Sequence, residues 1–118
     1  MKYVDGYVLP VPKKNVKAYL KMARLGEKVW RKCGALDYKE CVGDDLTPDC
    51  GWPFPKMAKL KSNETIVFAY IVFKSRAHRD QVNKKVMGIM EKMSGFPKKM
   101  PFDIKRMAYG GFKAAVGG

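Results

Sequence analysis

The sequence predicts a single α+β domain of the ferredoxin-like βαββαβ type, with an antiparallel sheet and two helices on one face. Three observations carry that reading. Two segments with helical apolar spacing are each flanked by segments of strand pattern, giving the order βαβ–loop–βαβ. The third strand segment, "TIVFAYIVF" (65–73), is apolar on both faces, the mark of a strand buried from both sides. The 118 residues suit one modest core and are too few for two, so residues 1–118 are read as one domain.

The elements follow in order. "KYVDGYVL" (2–9) alternates Tyr3, Asp5, Tyr7 and Leu9 against Val4, Gly6 and Val8, which is a strand pattern stopped by Pro10 and Pro12. From Lys13 to Cys33, apolar residues Val16, Tyr19, Leu20, Ala23, Trp30 and Cys33 recur at helical spacing with lysines opposite, and Gly34 supplies a left-handed cap. "ALDYKECV" (35–42) alternates again and ends at the turn signal "GDD". Residues 43–60 form a long loop rich in Pro, Gly and Asp. Its Trp52 and Phe54 either rim a ligand site as part of a lid or pin a loose connection.

After 65–73, Ser75 can cap a helix whose stripe runs through His78, Val82, Val86, Ile89 or Met90, and Met93. "KRMAYGGFKAAV" (105–116) is the last strand, and its Gly110–Gly111 pair predicts a bulge or a close backbone approach. Right-handed crossovers place both helices on one face of the sheet. The other face is then uncovered while its central strand is apolar there. A second copy covering it, as a two-fold homodimer with a sheet-on-sheet core, is the economical answer.

Composition narrows the partners. Twenty-four basic residues against eleven acidic ones give +13, which raises nucleic acid as a partner. Nineteen of them are dispersed lysines, which read first as a solvated surface, so non-specific RNA or DNA binding stands as the alternative. The aromatic residues Tyr70, Tyr109 and Phe112 lack the Lys/Arg-Gly-aromatic pattern that an RNA-recognition motif carries on its third strand. No stretch approaches the length of a membrane helix, and the first segment holds Asp5 in place of a secretory apolar core, so a cytoplasmic protein is expected. Cys33, Cys41 and Cys50 have neither disulfide-framework nor zinc spacing; Cys33 and Cys41 read as small core residues and Cys50 as an exposed thiol. Asp44, Asp45 and Asp49 match no calcium loop and read as local backbone caps, so neither a metal nor a cofactor is expected.

Candidate chemistry centres on the one histidine, His78, between Arg76 and Arg79 at a strand-to-helix junction. The free N–H groups and dipole of that helix start favour an anion near Ser75, with the arginines adding positive charge. The same field biases His78 toward its neutral form, fit to act as a general base, and its stripe turns it inward toward the space between helix and sheet. The bland alternative is a core histidine, with Arg76 pairing Asp80. Ser75, Arg76, Arg79, Trp52 and Tyr109 are the candidate ligand contacts and His78 the candidate catalytic residue. Five methionines between residues 87 and 107 either line a pocket for a small hydrophobic ligand or fill the core. Small-molecule binding or catalysis between sheet and helices is the favoured function class. A structural protein without ligand is the third.

Four stretches, "YVDGYVLPVP", "CVGDD", "ETIVFAYIVFKSRAHRDQVN" and "MPFDIKRMAYGGF", together resemble the uncharacterised bacterial family DUF1428 over essentially the whole chain. The resemblance implies the dimeric α+β barrel architecture. It brings no established activity, so it transfers no catalytic residue.

Overall fold

The computed structural model describes residues 1–117. Its elements run β1 (Tyr3–Pro12), a 3-10 turn (Lys13–Asn15), α1 (Val16–Cys33), β2 (Asp37–Val42), α2 (Phe54–Met57), β3 (Glu64–Phe73), α3 (Arg76–Met90), a second 3-10 turn (Ile104–Arg106) and β4 (Ala108–Lys113). The four strands make one sheet in the order β2-β3-β1-β4, and every neighbouring pair is antiparallel. The fold is therefore α+β with an open four-stranded antiparallel sheet.

The β1·β3 ladder is its spine, running without a break from Tyr3 opposite Phe73 to Pro12 opposite Glu64. Because side chains alternate across a strand, Tyr3, Asp5, Tyr7, Leu9 and Val11 share one face with Val67, Ala69, Ile71 and Phe73. Both core clusters lie on that face. In one, Val29 of α1 and Val82 and Val86 of α3 pack with Tyr3, Tyr38, Ile71 and Phe73. In the other, Tyr19 and Ala23 of α1 pack with Leu9, Val11 and Val67. The long helices thus cover the same side. On the opposite side lie Val4, Val8, Ile66, Phe68, Tyr70, Val72 and Phe112, with Phe68 43% and Phe112 61% exposed. The flattened outline, 38 × 38 × 20 Å, matches a half-covered sheet, and the 15.0 Å radius of gyration exceeds the roughly 13.5 Å of a compact chain this long.

Two expectations are corrected, and a third, at the glycine pair, holds in one of its two forms. Pro10 and Pro12 do not stop the first strand: β1 runs through both. β4 pairs β1 only as far as Val8, so beyond that point one side of β1 is an open edge, where a missing N–H costs nothing. Cys41 is not a core residue; it is exposed, on the outward side of β2 opposite Phe68. The glycine pair makes no bulge, since Gly110 faces Gly6 and Gly111 faces Asp5 in unbroken register. The close approach is real at Gly111, where a Cβ would come within 2.7 Å of Tyr3 Cε2. Tyr3 is buried and cannot swing away. Gly111→Ala should therefore destabilise the fold by about 1–3 kcal/mol, as overpacking does. A chemical-denaturation midpoint equal to that of the unchanged chain would contradict this.

Candidate functional site

Between the sheet and the two long helices lies a cavity of about 410 Å³. A row of residues across the sheet forms its floor. Glu40 of β2 and Tyr7 of β1 both stand opposite Ala69 of the central strand β3, while Tyr109 of β4, opposite Tyr7, continues the row beyond the cavity. Strand spacing puts the Glu40 and Tyr7 backbones about 9.5 Å apart, with the small Ala69 between them. The roof above is equally small, since α1 presents Ala23 and Gly26. Three small residues thus leave open what leucines would fill. Met87, Met90, Met100 and Met107, with Phe96 and Phe102, complete the wall. Four of the five clustered methionines are therefore pocket lining, while Met93 packs against the core.

Among the described residues Glu40 is the only charged side chain lining the cavity. Tyr19 donates its hydroxyl to Oε1 and Tyr38 to Oε2, each at 2.7 Å. Burial raises the Glu40 carboxyl above its ordinary 4.5, and the two phenol hydrogen bonds oppose that rise only in part. Both phenols are in turn driven above their usual range, first by burial and then by the Glu40 charge. The Tyr7 phenol is raised too, again chiefly by burial, and no hydrogen bond within the described residues engages its hydroxyl. Glu40 also borders a second, polar groove of about 290 Å³ between α1 and β2, lined by Arg24, Glu27 and Lys39. Its carboxyl sits between an apolar chamber and a charged surface channel.

Behind Tyr7 lies a second cluster. Asp5 is fully buried, and Arg79 Nη1 donates to its Oδ1 at 3.0 Å and to the Tyr109 hydroxyl at 3.0 Å. Tyr109 donates to Asp5 Oδ2 at 3.3 Å and stacks on Tyr7 with ring centroids 4.9 Å apart. The Arg79 guanidinium also lies over the Tyr3 ring, 5.0 Å from its centroid. Arg79 Nε is 2.8 Å from Asp80 Oδ1 but outside hydrogen-bond geometry, which leaves that buried donor unmatched. Burial raises the Asp5 carboxyl despite Arg79 beside it.

The sequence-predicted site residues fall in other places. Ser75 caps α3 by accepting the His78 N–H at 3.1 Å. The His78 ring is half-buried; its Nδ1 accepts the Lys74 N–H at 3.0 Å and its edge meets Phe73. Its pKa is lowered, first by burial and then by Lys74 and Lys85, and one ring nitrogen is already bonded. Arg76 is exposed, and Asp80 lies against Arg79 in place of Arg76. Trp52 is 71% exposed, so it pins nothing, while Phe54 lies beside Phe68 at a surface hollow. Arg79 and Tyr109 are brought together, as are Ser75 and His78. None of the six lines the cavity. Glu40 was missed, although one signal pointed to it. In "DYKECV" it shares a face with Tyr38, and the intervening Lys39 marks the opposite face as outward.

A profile described as "Protein of unknown function (DUF1428)" matches residues 2–104. The chain belongs to the DUF1428 family. It is 39% identical over 116 residues to "Uncharacterized protein YbaA" of Escherichia coli strain K12, covering 98% of each chain. The protein of the same name from Shigella flexneri matches equally. Among solved structures, the de novo designed protein Foldit4 aligns over 95% of this chain and 94% of its own, with a TM-score of 0.46 and 11% identity. No helix among the described residues of this family member is long and apolar enough to cross a membrane.

A carboxyl raised on folding makes unfolding release a proton, so its contribution to stability falls as pH rises from the ordinary value through the raised one. Glu40 and Asp5 both act in that direction. Asp37 and Glu64, held low chiefly by Lys39 and Arg106, act oppositely and lose stability as pH falls. Glu40→Gln should melt at pH 8 no lower than the unchanged chain, with a shallower loss of stability from pH 4.5 upward. Scanning calorimetry across that range decides it; a melting point well below the unchanged chain at pH 8 would mean that the charge holds the fold.

Proposed function

We propose that this chain binds a small, neutral, largely apolar molecule carrying one polar group, in the cavity between the sheet and helices α1 and α3. The observation behind this is a ligand-sized chamber of about 410 Å³ whose wall is apolar except for Glu40 and a few tyrosine hydroxyls. Sites for small molecules combine such walls with a few convergent polar groups that set orientation. Here those groups are Glu40 and the free Tyr7 hydroxyl. An aromatic or alicyclic ligand suits the methionine and phenylalanine wall, because thioether side chains adapt to irregular apolar shapes. An anionic ligand is disfavoured, since among the described residues no lysine or arginine lines the chamber and its one charge is a carboxylate.

The test uses 2-naphthol, a neutral bicyclic phenol, followed by its own fluorescence. The expected result is saturable binding at one site per chain, weakened about ten-fold or more by Ala69→Leu, a loss of at least about 1.4 kcal/mol. Absence of saturable binding, or equal binding by the Ala69→Leu variant, sinks the reading.

The domain is further proposed to be ferredoxin-like and to work as a two-fold dimer of the dimeric α+β barrel kind. Read from its other edge the strand order is β4-β1-β3-β2, with β1 and β2 parallel to each other across the intervening β3. That is the arrangement expected when each βαβ crossover leaves room for one strand of the other unit. The apolar outer face, with Phe68 and Phe112 in the open, supports a second copy as its cover. Sedimentation at micromolar concentration should give twice 13.4 kDa, and Phe68→Lys should give 13.4 kDa. A soluble monomer from the unchanged chain would overturn the dimer.

A further inference from the structure

We infer that Glu40 and Tyr7 form a proton-transfer pair that enolises a neutral carbonyl compound held between them over Ala69. The inference rests on the cavity being a ligand site and adds the reaction and the substrate class. Its basis is the row across the sheet. Glu40 and Tyr7 stand on either side of Ala69 in the same register, with their backbones about 9.5 Å apart. Between them Ala69 adds little bulk, and Ala23 and Gly26 of α1 line the same cavity above.

The two ends of the row differ in chemistry. Each Glu40 oxygen takes one tyrosine hydrogen bond, at 2.7 Å, and an ionised carboxylate oxygen has capacity for a second partner. Tyr19 and Tyr38 are thus positioning residues that lock the carboxylate, and its remaining lone pairs can take a proton. Burial, by raising the carboxyl, makes it a stronger base than an exposed glutamate. At the other end the Tyr7 hydroxyl has no protein partner among the described residues and keeps its proton, so it can donate. Two ionisable groups on either side of Ala69 in one cavity, one accepting and one donating, divide the roles of base and oxyanion donor.

The step balances without an oxidant or a cofactor. The bond from hydrogen to the carbon beside the carbonyl breaks as a new O–H bond forms on Glu40. The released electron pair becomes the C=C bond, and the carbonyl π pair moves to oxygen, where the Tyr7 O–H stabilises the enolate by hydrogen bonding. Return of a proton to the same carbon, or to another carbon of the extended enolate, completes an exchange or an isomerisation. The polar groove past Arg24, Glu27 and Lys39 opens Glu40 to solvent protons on the side away from the chamber.

The probe is 2-tetralone, a neutral bicyclic ketone with acidic hydrogens beside its carbonyl, kept in D2O with the intact protein. Proton NMR reads the exchange of those hydrogens for deuterium, and saturation transfer on the same sample reads binding. The expected result is exchange about 10²-fold or more above buffer, returned to the buffer rate by Glu40→Gln and lowered about ten-fold by Tyr7→Phe at probe concentrations raised until saturation transfer shows each variant occupied. A bound probe that exchanges at the buffer rate overturns the proton-transfer pair and leaves the ligand site standing. Full-speed exchange by Glu40→Gln overturns the base. Loss of saturation transfer with the unchanged chain overturns the ligand site and this inference with it.

Discussion

Ten consecutive pairs between β1 and β3 hold the rest of the molecule in place. A one-residue slip in that ladder would turn every inward side chain outward. Tyr7 would leave the cavity floor, Ala69 would no longer lie beneath the small residues of α1, and Asp5 would meet solvent away from Arg79. The register is secured by burial at one end, where Tyr3 and Phe73 face one another in the core, and at the other by Leu9 and Val11 against Val67. The core and the cavity floor share this constraint because the same alternation that builds the core also aligns Glu40, Ala69 and Tyr7.

Two carboxylates point into that interior, and the chain handles them differently. Asp5 has no exposure and is matched by the fixed cation of Arg79, with the Tyr109 hydroxyl completing its bonds. A buried charge with a salt-bridge partner is costly to unpair, and this one lies behind the wall of the cavity. Glu40 has no cation. It is held by two neutral phenols and faces a chamber on one side and a groove on the other. A carboxylate kept in a weakly compensating environment stores free energy that a reacting proton can release, whereas an ion-paired one has little left to give. The contrast separates Asp5, whose carboxylate is committed to an ion pair, from Glu40, whose carboxylate keeps lone pairs free of any cation among the described residues.

His78 admitted two readings from the sequence, an inward-facing base and a core histidine. Its spacing on the α3 stripe and its arginine neighbours suggested an inward-facing base at a positive helix end. Local backbone geometry took precedence: the Lys74 N–H, left without a ladder partner where β3 ends, is met by His78 Nδ1. One turn of helix and the preceding strand end supply that bond. No periodicity argument contains it, because periodicity describes which face a residue occupies and not which atom its ring will bond.

By itself the sequence determined the order of the four strands and the two long helices, the apolar character of both faces of 65–73, the left-handed cap at Gly34, the Ser75 cap, and the methionine-rich character of the segment that lines the cavity. These follow from local spacing and from residue types with strong backbone preferences. The tertiary structure alone decided that β1 continues through two prolines, that Cys41 faces outward, and that Arg79 and Tyr109 close on Asp5. It alone brought Tyr7, Ala69 and Glu40 into line from three separate strands. Which residues stand opposite one another across a sheet depends on ladder register between segments tens of residues apart. Only the packing of the whole core fixes that register.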